Sequence, residues 1–430
     1  MGPRYSRIMR TTSTAILCLA ALFPLAAQEV KPKDVREVAK AGATAIPRLQ
    51  EFLKNSASDV RSEAVRQLTA IGSGRSLDPL IEATRDNDPE IQMLATDGLV
   101  NFYSPGYVKG GIAGQLRRVG TSIKGKFTDT NDLVIDPFVQ VRPEVIEALG
   151  RLAIGGASVD CRANAAHALG ILRGRAALDQ LIEGVHSKDT GVIYESLVAV
   201  QKIRDESAGP RVSFRLHDLD SKVQIAAIQT VGVLLDKDAV PDLVDVLNHA
   251  RDAKVKREAL TSIAMLPVEK SRALYEQYLH DKDDKLRAAA AEGYARLRNP
   301  ADLPAMEKAW QEETKASPRL SLAFAQVMLG KTEVSEFSPL QYLINNLNSA
   351  AYHDVALPFL VELARDPSVL QALYLPLEKA TKDEKIGLAG VLARSGDNNS
   401  IPALQKLSRD SDPAVAQEGL RALRSLQSRM

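Results

Sequence analysis

A block of about 31 residues recurs along most of this 430-residue chain, and no other feature limits its fold so tightly. The stretch "LHDLDSKVQIAAIQTVGVL", beginning at Leu216, has a counterpart upstream in "VHSKDTGVIYESLVAV". Two more stand downstream, "NHARDAKVKREALTSIA" and "LHDKDDKLRAAAAEGYA". An apolar residue opens the second helical stripe of each block at Val60, Ile91, Val141, Cys161, Val192, Val223, Val255, Leu286, Leu320, Val355, Ile386 and Val415. That register implies about twelve units. One unit of this size cannot bury its apolar stripe alone, whereas stacked units share a continuous core.

Local signals repeat in the same register. Three residues before the opener stands an aspartate (Asp88, Asp189, Asp220, Asp252, Asp283, Asp383, Asp412) or a serine (Ser158, Ser317). A short side-chain oxygen there accepts first-turn N–H groups, and a carboxylate also suits the positive helix end. Pro89 and Pro413 follow directly, at the position where a missing N–H costs nothing. Four residues after the opener come small side chains, among them Ala64, Ala95, Ala165, Ser196, Ala227, Gly390 and Gly419, which let helices approach closely. The first helix of a unit is announced by proline beside apolar residues, as in "AIPRL", "LDPLI", "VPDLV", "LPAM" and "IPALQKL". Aromatics make up only 5% of the chain, so strands are disfavoured. The expected fold is all-α: a superhelical α-solenoid of about twelve stacked helix pairs.

The combination apolar–Pro–x–Leu, then Asp–x–x–Val–Arg, then Ala–x–x–x–Leu–Gly, as in "CRANAAHALGIL" (161–172), resembles bacterial HEAT repeats of the short, phycobilisome-lyase-like type. The resemblance covers nearly all of residues 36–428. It implies a non-enzymatic scaffold whose partner is another protein. The family takes its name from pigment-attaching enzymes, so a lyase or accessory factor of the phycobilin-lyase type is the alternative. The chain has no Gly-rich phosphate loop, Cys-x-x-Cys, His-Glu-x-x-His or Gly-x-Ser-x-Gly. No catalytic residue, metal ligand or cofactor is assigned.

The first 27 residues differ from the rest. Arg4, Arg7 and Arg10 precede the apolar run "TAILCLAALF" and the small residues of "PLAAQ", which reads as a signal peptide cleaved near Ala27. The run is too short to span a bilayer, and the expected product is periplasmic or secreted. Net charge is +1, with no global basic field to attract nucleic acid. The only other cysteine, Cys161, falls on an apolar repeat position and is expected in the core.

The repeat breaks between Ile91 and Val141. Residues 104–127 hold six glycines, five basic residues (Lys109, Arg117, Arg118, Lys124, Lys126) and no acid. Domain organisation is thus a signal peptide (1–27), N-terminal repeats (28–103), a Gly-rich basic insert (104–138) and the main array (139–428). Three readings of the insert stand: a solvated excursion, a docking loop for an acidic partner or anionic envelope polymer, and a membrane-surface contact that would make the protein an envelope-attached adaptor. The step from Val141 to Cys161 leaves "LAIGGASVD" as a truncated unit.

His186, His217, His249 and His280 recur at spacings of 31, 32 and 31. A one-off active site does not tile. The ladder reads as structural turn residues near the ends of first helices; a pH-sensing edge and metal binding are the other readings.

Overall fold

The computed structural model describes residues 30–108 and 133–430. The expected signal peptide and the five basic residues of the insert, Lys109, Arg117, Arg118, Lys124 and Lys126, lie outside the described residues.

Helix α1 (Pro32–Ala39) opens the array unpaired and packs on α3. Pairs then follow as α2 (Ile46–Phe52) with α3 (Ser58–Ile71), α4 (Leu77–Ala83) with α5 (Pro89–Tyr103), and α6 (Pro143–Gly155) with α7 (Val159–Ile171). Next come α8 (Leu178–Val185) with α9 (Thr190–Ile203), α10 (Gly209–Val212) with α11 (Ser221–Val233), and α12 (Val240–His249) with α13 (Ala253–Met265). The array continues through α14 (Arg272–Tyr278) with α15 (Asp284–Leu297), α16 (Leu303–Glu312) with α17 (Ala316–Met328), and α18 (Pro339–Asn345) with α19 (His353–Leu363). It ends with a broken first helix, α20 (Pro367–Ala372) and α21 (Tyr374–Leu377), against α22 (Lys382–Ser395), then α23 (Ile401–Leu407) with α24 (Pro413–Gln427). Among the described residues this makes eleven pairs plus α1. Each second helix packs on the next, so α3, α5, α7 and every odd helix to α19, then α22 and α24, form one row over a core that runs the length of the array.

The caps explain where the second helices begin. Asp88, Asp189, Asp220, Asp252, Asp283, Asp412 and Ser158 each accept a first-turn amide, as the register predicts. Two positions depart from it. Asp383 lies inside α22, whose cap is Thr381 in a reciprocal box with Glu384. Ser317 lies inside α17; there the Glu313 carboxylate takes the amides of Thr314 and Lys315 at 2.9 and 2.8 Å.

Val141 does not open a second helix. It precedes α6, which is the full-length first helix paired with α7, so the unit containing "LAIGGASVD" is not truncated. A first helix such as α6 and a second helix such as α5 can both begin with proline and carry a similar apolar stripe. Their roles are set by what they pack against.

The Val–Arg step of the repeat acts as a staple. Arg61 donates to Asn55 O and Ser56 O in its own turn and grips Asp86 of the next unit at 2.7 and 3.1 Å. Arg287 repeats this with Asp281 O, Lys282 O and Glu313. One planar fork therefore closes a turn and fixes the neighbour's register. Cys161 is buried, as expected, with Sγ donating to Pro89 O at 3.2 Å, and burial pushes its thiol up. Trp310 packs half-buried between Tyr342 and the Arg319 guanidinium. No helix among the described residues is long and apolar enough to cross a membrane.

Candidate binding surfaces

The turns between first and second helices line one edge of the array, and His186, His217, His249 and His280 all stand there, exposed. The two aspartates beside His217 are engaged elsewhere: Asp218 accepts from Arg215 at 2.8 Å and from the Asp220 amide at 2.9 Å, while Asp220 caps α11. Among the described residues no group of three or more His, Cys, Asp or Glu side chains is placed to hold a metal ion.

The same edge carries an apolar feature that the repeat pattern does not require. In the fifth pair the first helix is cut to α10, and a 3-10 turn over Ser213–His217 replaces its second half. Arg215 anchors this turn by donating to Val185 O at 3.0 and 2.8 Å and to Ser187 O at 3.2 Å, carbonyls left open at the end of α8. The anchoring presents Phe214 outward, 48% exposed, with the His186 ring stacked on it at 4.5 Å and the Arg215 guanidinium 5.0 Å from its centre. Leu219, five residues on, is fully exposed. Beside them a hollow of about 290 Å³ is lined by His217, Gln224, Asp245, His249 and Arg251. His249 Nδ1 lies 3.1 Å from Asp245 Oδ1, and with Asp252, the α13 cap, also in the lining the hollow brings together two ladder histidines and two acids.

A second feature lies in the row of second helices. The sixth residue after one unit's opener meets the third residue after the next unit's opener. Asn164 Nδ2 donates to Asp97 Oδ1 at 3.2 Å, His167 Nδ1 sits 2.8 Å from Glu195 Oε2, and Gln229 Nε2 donates to Glu258 Oε2 at 3.0 Å. Asp97, Asn164, His167 and Glu195 are all buried. Tyr107, just past α5, stands close to this seam: burial and the Asp97 and Glu195 carboxylates push its hydroxyl well above the usual range. A slip of one helix past another would strand buried charge at several kcal/mol, so the seam holds α5, α7 and α9 in register. Chemically it offers an imidazole oriented by a carboxylate, next to a second acid and a phenol. Reading His167 only as part of the Ala–x–x–x–Leu–Gly motif misses it. The signal is a polar residue in two repeat columns that face a neighbouring helix.

Comparison with known proteins adds the following. The profile for HEAT repeats matches residues 18–105 and 240–325. The chain is similar in structure to an engineered protein (19% identity, TM-score 0.39, covering 89% of this chain and 98% of that one). It is also similar to the CpcE–CpcF complex of phycocyanin lyase from Nostoc sp. (17% identity, TM-score 0.36, 60% and 90% covered). Importin beta matches with 12% identity and a TM-score of 0.38 over 92% of this chain and 65% of that one. A search of the curated proteins finds no match. The HEAT-repeat profile thus matches an N-terminal and a central stretch of a row of helix pairs that is continuous among the described residues, and the chain carries HEAT repeats there and folds as an α-solenoid.

Proposed function

We propose that this protein is an exported, non-enzymatic scaffold that holds another protein along its turn edge. The observation that carries this reading is Phe214 with Leu219. Scattered apolar side chains on a surface are ordinary, but here an aromatic ring is fixed outward by stacking and by a guanidinium, with a fully exposed leucine five residues away. Rigid aromatic and aliphatic anchors beside a polar hollow suit a partner segment that brings its own apolar side chain and donors for Asp245. Export is the reading of residues 1–27. The basic insert, with Lys109, Arg117, Arg118, Lys124 and Lys126, is proposed as a second contact, to acidic groups of the same partner.

The test is affinity capture from native envelope extract with three baits: the unaltered protein, F214S/L219S, and a variant with residues 104–127 replaced by a neutral linker. The reading expects one partner to be retained by the first bait and depleted about tenfold or more by F214S/L219S, the effect of losing an anchor that supplies at least 1.4 kcal/mol. Equal capture by the first two baits would overturn the assignment to this edge. Loss confined to the linker variant would transfer the binding to the insert.

A further inference from the structure

We infer that the third and fourth helix pairs and the last two pairs together form a binding site for a small multivalent oxyanion, held by Arg173, Arg204 and Arg394 beside the Arg421–Asp136 pair. The geometry begins at Asp136. The amide of Ile135 donates to Ile171 O at 3.0 Å, which fastens this segment to the C-terminal end of α7. Arg173 leaves that same helix end two residues later. Arg204 ends α9, which packs along α7. From the far end of the chain, Arg421 on α24 grips Asp136, and Arg394 sits in the last turn of α22, packed on α24. The superhelix thus brings four guanidinium groups from two distant parts of the chain to one place.

Among the described residues the charges there do not balance. Arg173 lies within electrostatic reach of Arg204, Arg394 and Asp136, and Arg394 within reach of Arg421, Arg204, Glu418 and Asp136. Both carboxylates already face Arg421, Asp136 directly and Glu418 at 3.5 Å. Asp205, next to Arg204, is taken by Arg175 at 2.8 Å and by the Ser207 amide. Among the described residues Arg173, Arg204 and Arg394 have no ion pair or side-chain hydrogen bond. Partial loss of water and then the neighbouring arginines hold Arg173 and Arg394 below the usual guanidinium range. All four arginines are exposed, so a ligand can reach them. Guanidinium groups carried by four different elements and lying within one another's electrostatic reach suit a ligand with two or more anionic oxygen groups. Two sources share that chemistry, a phosphate-bearing and a polycarboxylate molecule.

The test is isothermal titration of the purified protein with sodium pyrophosphate and, separately, with citrate, at matched ionic strength. Saturable binding of either supports the site and names its source. R204A/R394A should weaken it at least about tenfold, since each lost charge-assisted contact is worth about a factor of ten or more. R48A/R75A, which removes the same charge at the other end of the array, should leave it unchanged. Absence of saturable binding by both probes, or equal weakening by the two double variants, would overturn the proposal. Should R204A/R394A fail to fold, the two single variants replace it, and a single variant that binds as the unaltered protein does would have the same consequence.

Discussion

Arg421 donates through Nε and Nη2 to both carboxylate oxygens of Asp136, at 2.5 to 2.9 Å, across 285 residues of chain. Arg421 is the sixth residue after its unit's opener, the column that elsewhere reaches the following second helix. Among the described residues no second helix packs beyond α24, and there Arg421 reaches Asp136 instead. Arg421→Ala should therefore loosen the closure while hardly touching stability. A half-exposed pair of this kind contributes roughly 0–1 kcal/mol. Small-angle scattering is expected to show a larger radius of gyration with an unchanged far-UV spectrum. An unchanged radius would contradict the closure.

Arg296 of α15 ties its own helix to three other second helices, α13, α17 and α19. It donates to Glu362 at 2.9, 3.3 and 2.9 Å, to Glu292 at 3.2 Å and to Ala264 O at 3.2 Å, and it lies over Phe324. Burial pushes the Glu292 carboxyl up despite this partner. Arg296→Ala leaves two carboxylates without their cation and should cost about 3–5 kcal/mol, read by urea denaturation. A loss below about 1 kcal/mol would show that water replaces the guanidinium freely.

Gly390 and Gly419 occupy the same repeat column yet should respond in opposite directions. A Cβ at Gly390 meets nothing closer than Leu357 Cδ1 at 3.8 Å, whereas at Gly419 it meets the backbone of Ser408 and Leu407 at 2.6 and 2.7 Å. Gly390→Ala should stabilise by about 0.5–1 kcal/mol through helix propensity. Gly419→Ala should destabilise by about 1–3 kcal/mol through overpacking. Thermal melts of the two variants decide this, and melts that shift in the same direction would contradict it.

Acid should unfold the protein through its turns. Hydrogen bonds from Ser207, Ser368, Lys385 and Lys382 hold Asp205, Asp366, Asp410 and Asp412 below the usual carboxylate range. Carboxyls depressed in the folded state contribute stability that is fully present above the unfolded value, near 3.9, and is lost as pH falls through the folded value. The melting temperature is expected to be level from pH 8 to about 5 and to drop below about pH 4. A decline already complete by pH 5 would assign the loss to other groups.

Much of the architecture was legible because its causes are local. A cap, a first-turn proline and a small residue each act within one turn, so Asp88, Asp189, Asp220 and Asp252 could be placed by spacing alone. Asp383 and Ser317 escaped because the connections before α22 and α17 differ from the repeat, letting Thr381 and Glu313 take over. Val141 misled because a first helix and a second helix carry the same stripe, and only packing separates them. The seam pairs Asp97–Asn164 and His167–Glu195 were visible as polar columns but not as contacts. The Arg421–Asp136 closure was not legible at all, since the path of a superhelix sums many small rotations between units.

The central claim, that a partner docks on the turn edge, is tested most directly by site-specific photo-crosslinking in the native envelope. A photoreactive residue is placed at position 219 in one strain and at position 75, exposed at the opposite edge, in another. The account predicts a discrete adduct from position 219, absent from position 75 and lost when Phe214→Ser is added. An adduct from neither position, or the same adduct from both, would contradict it.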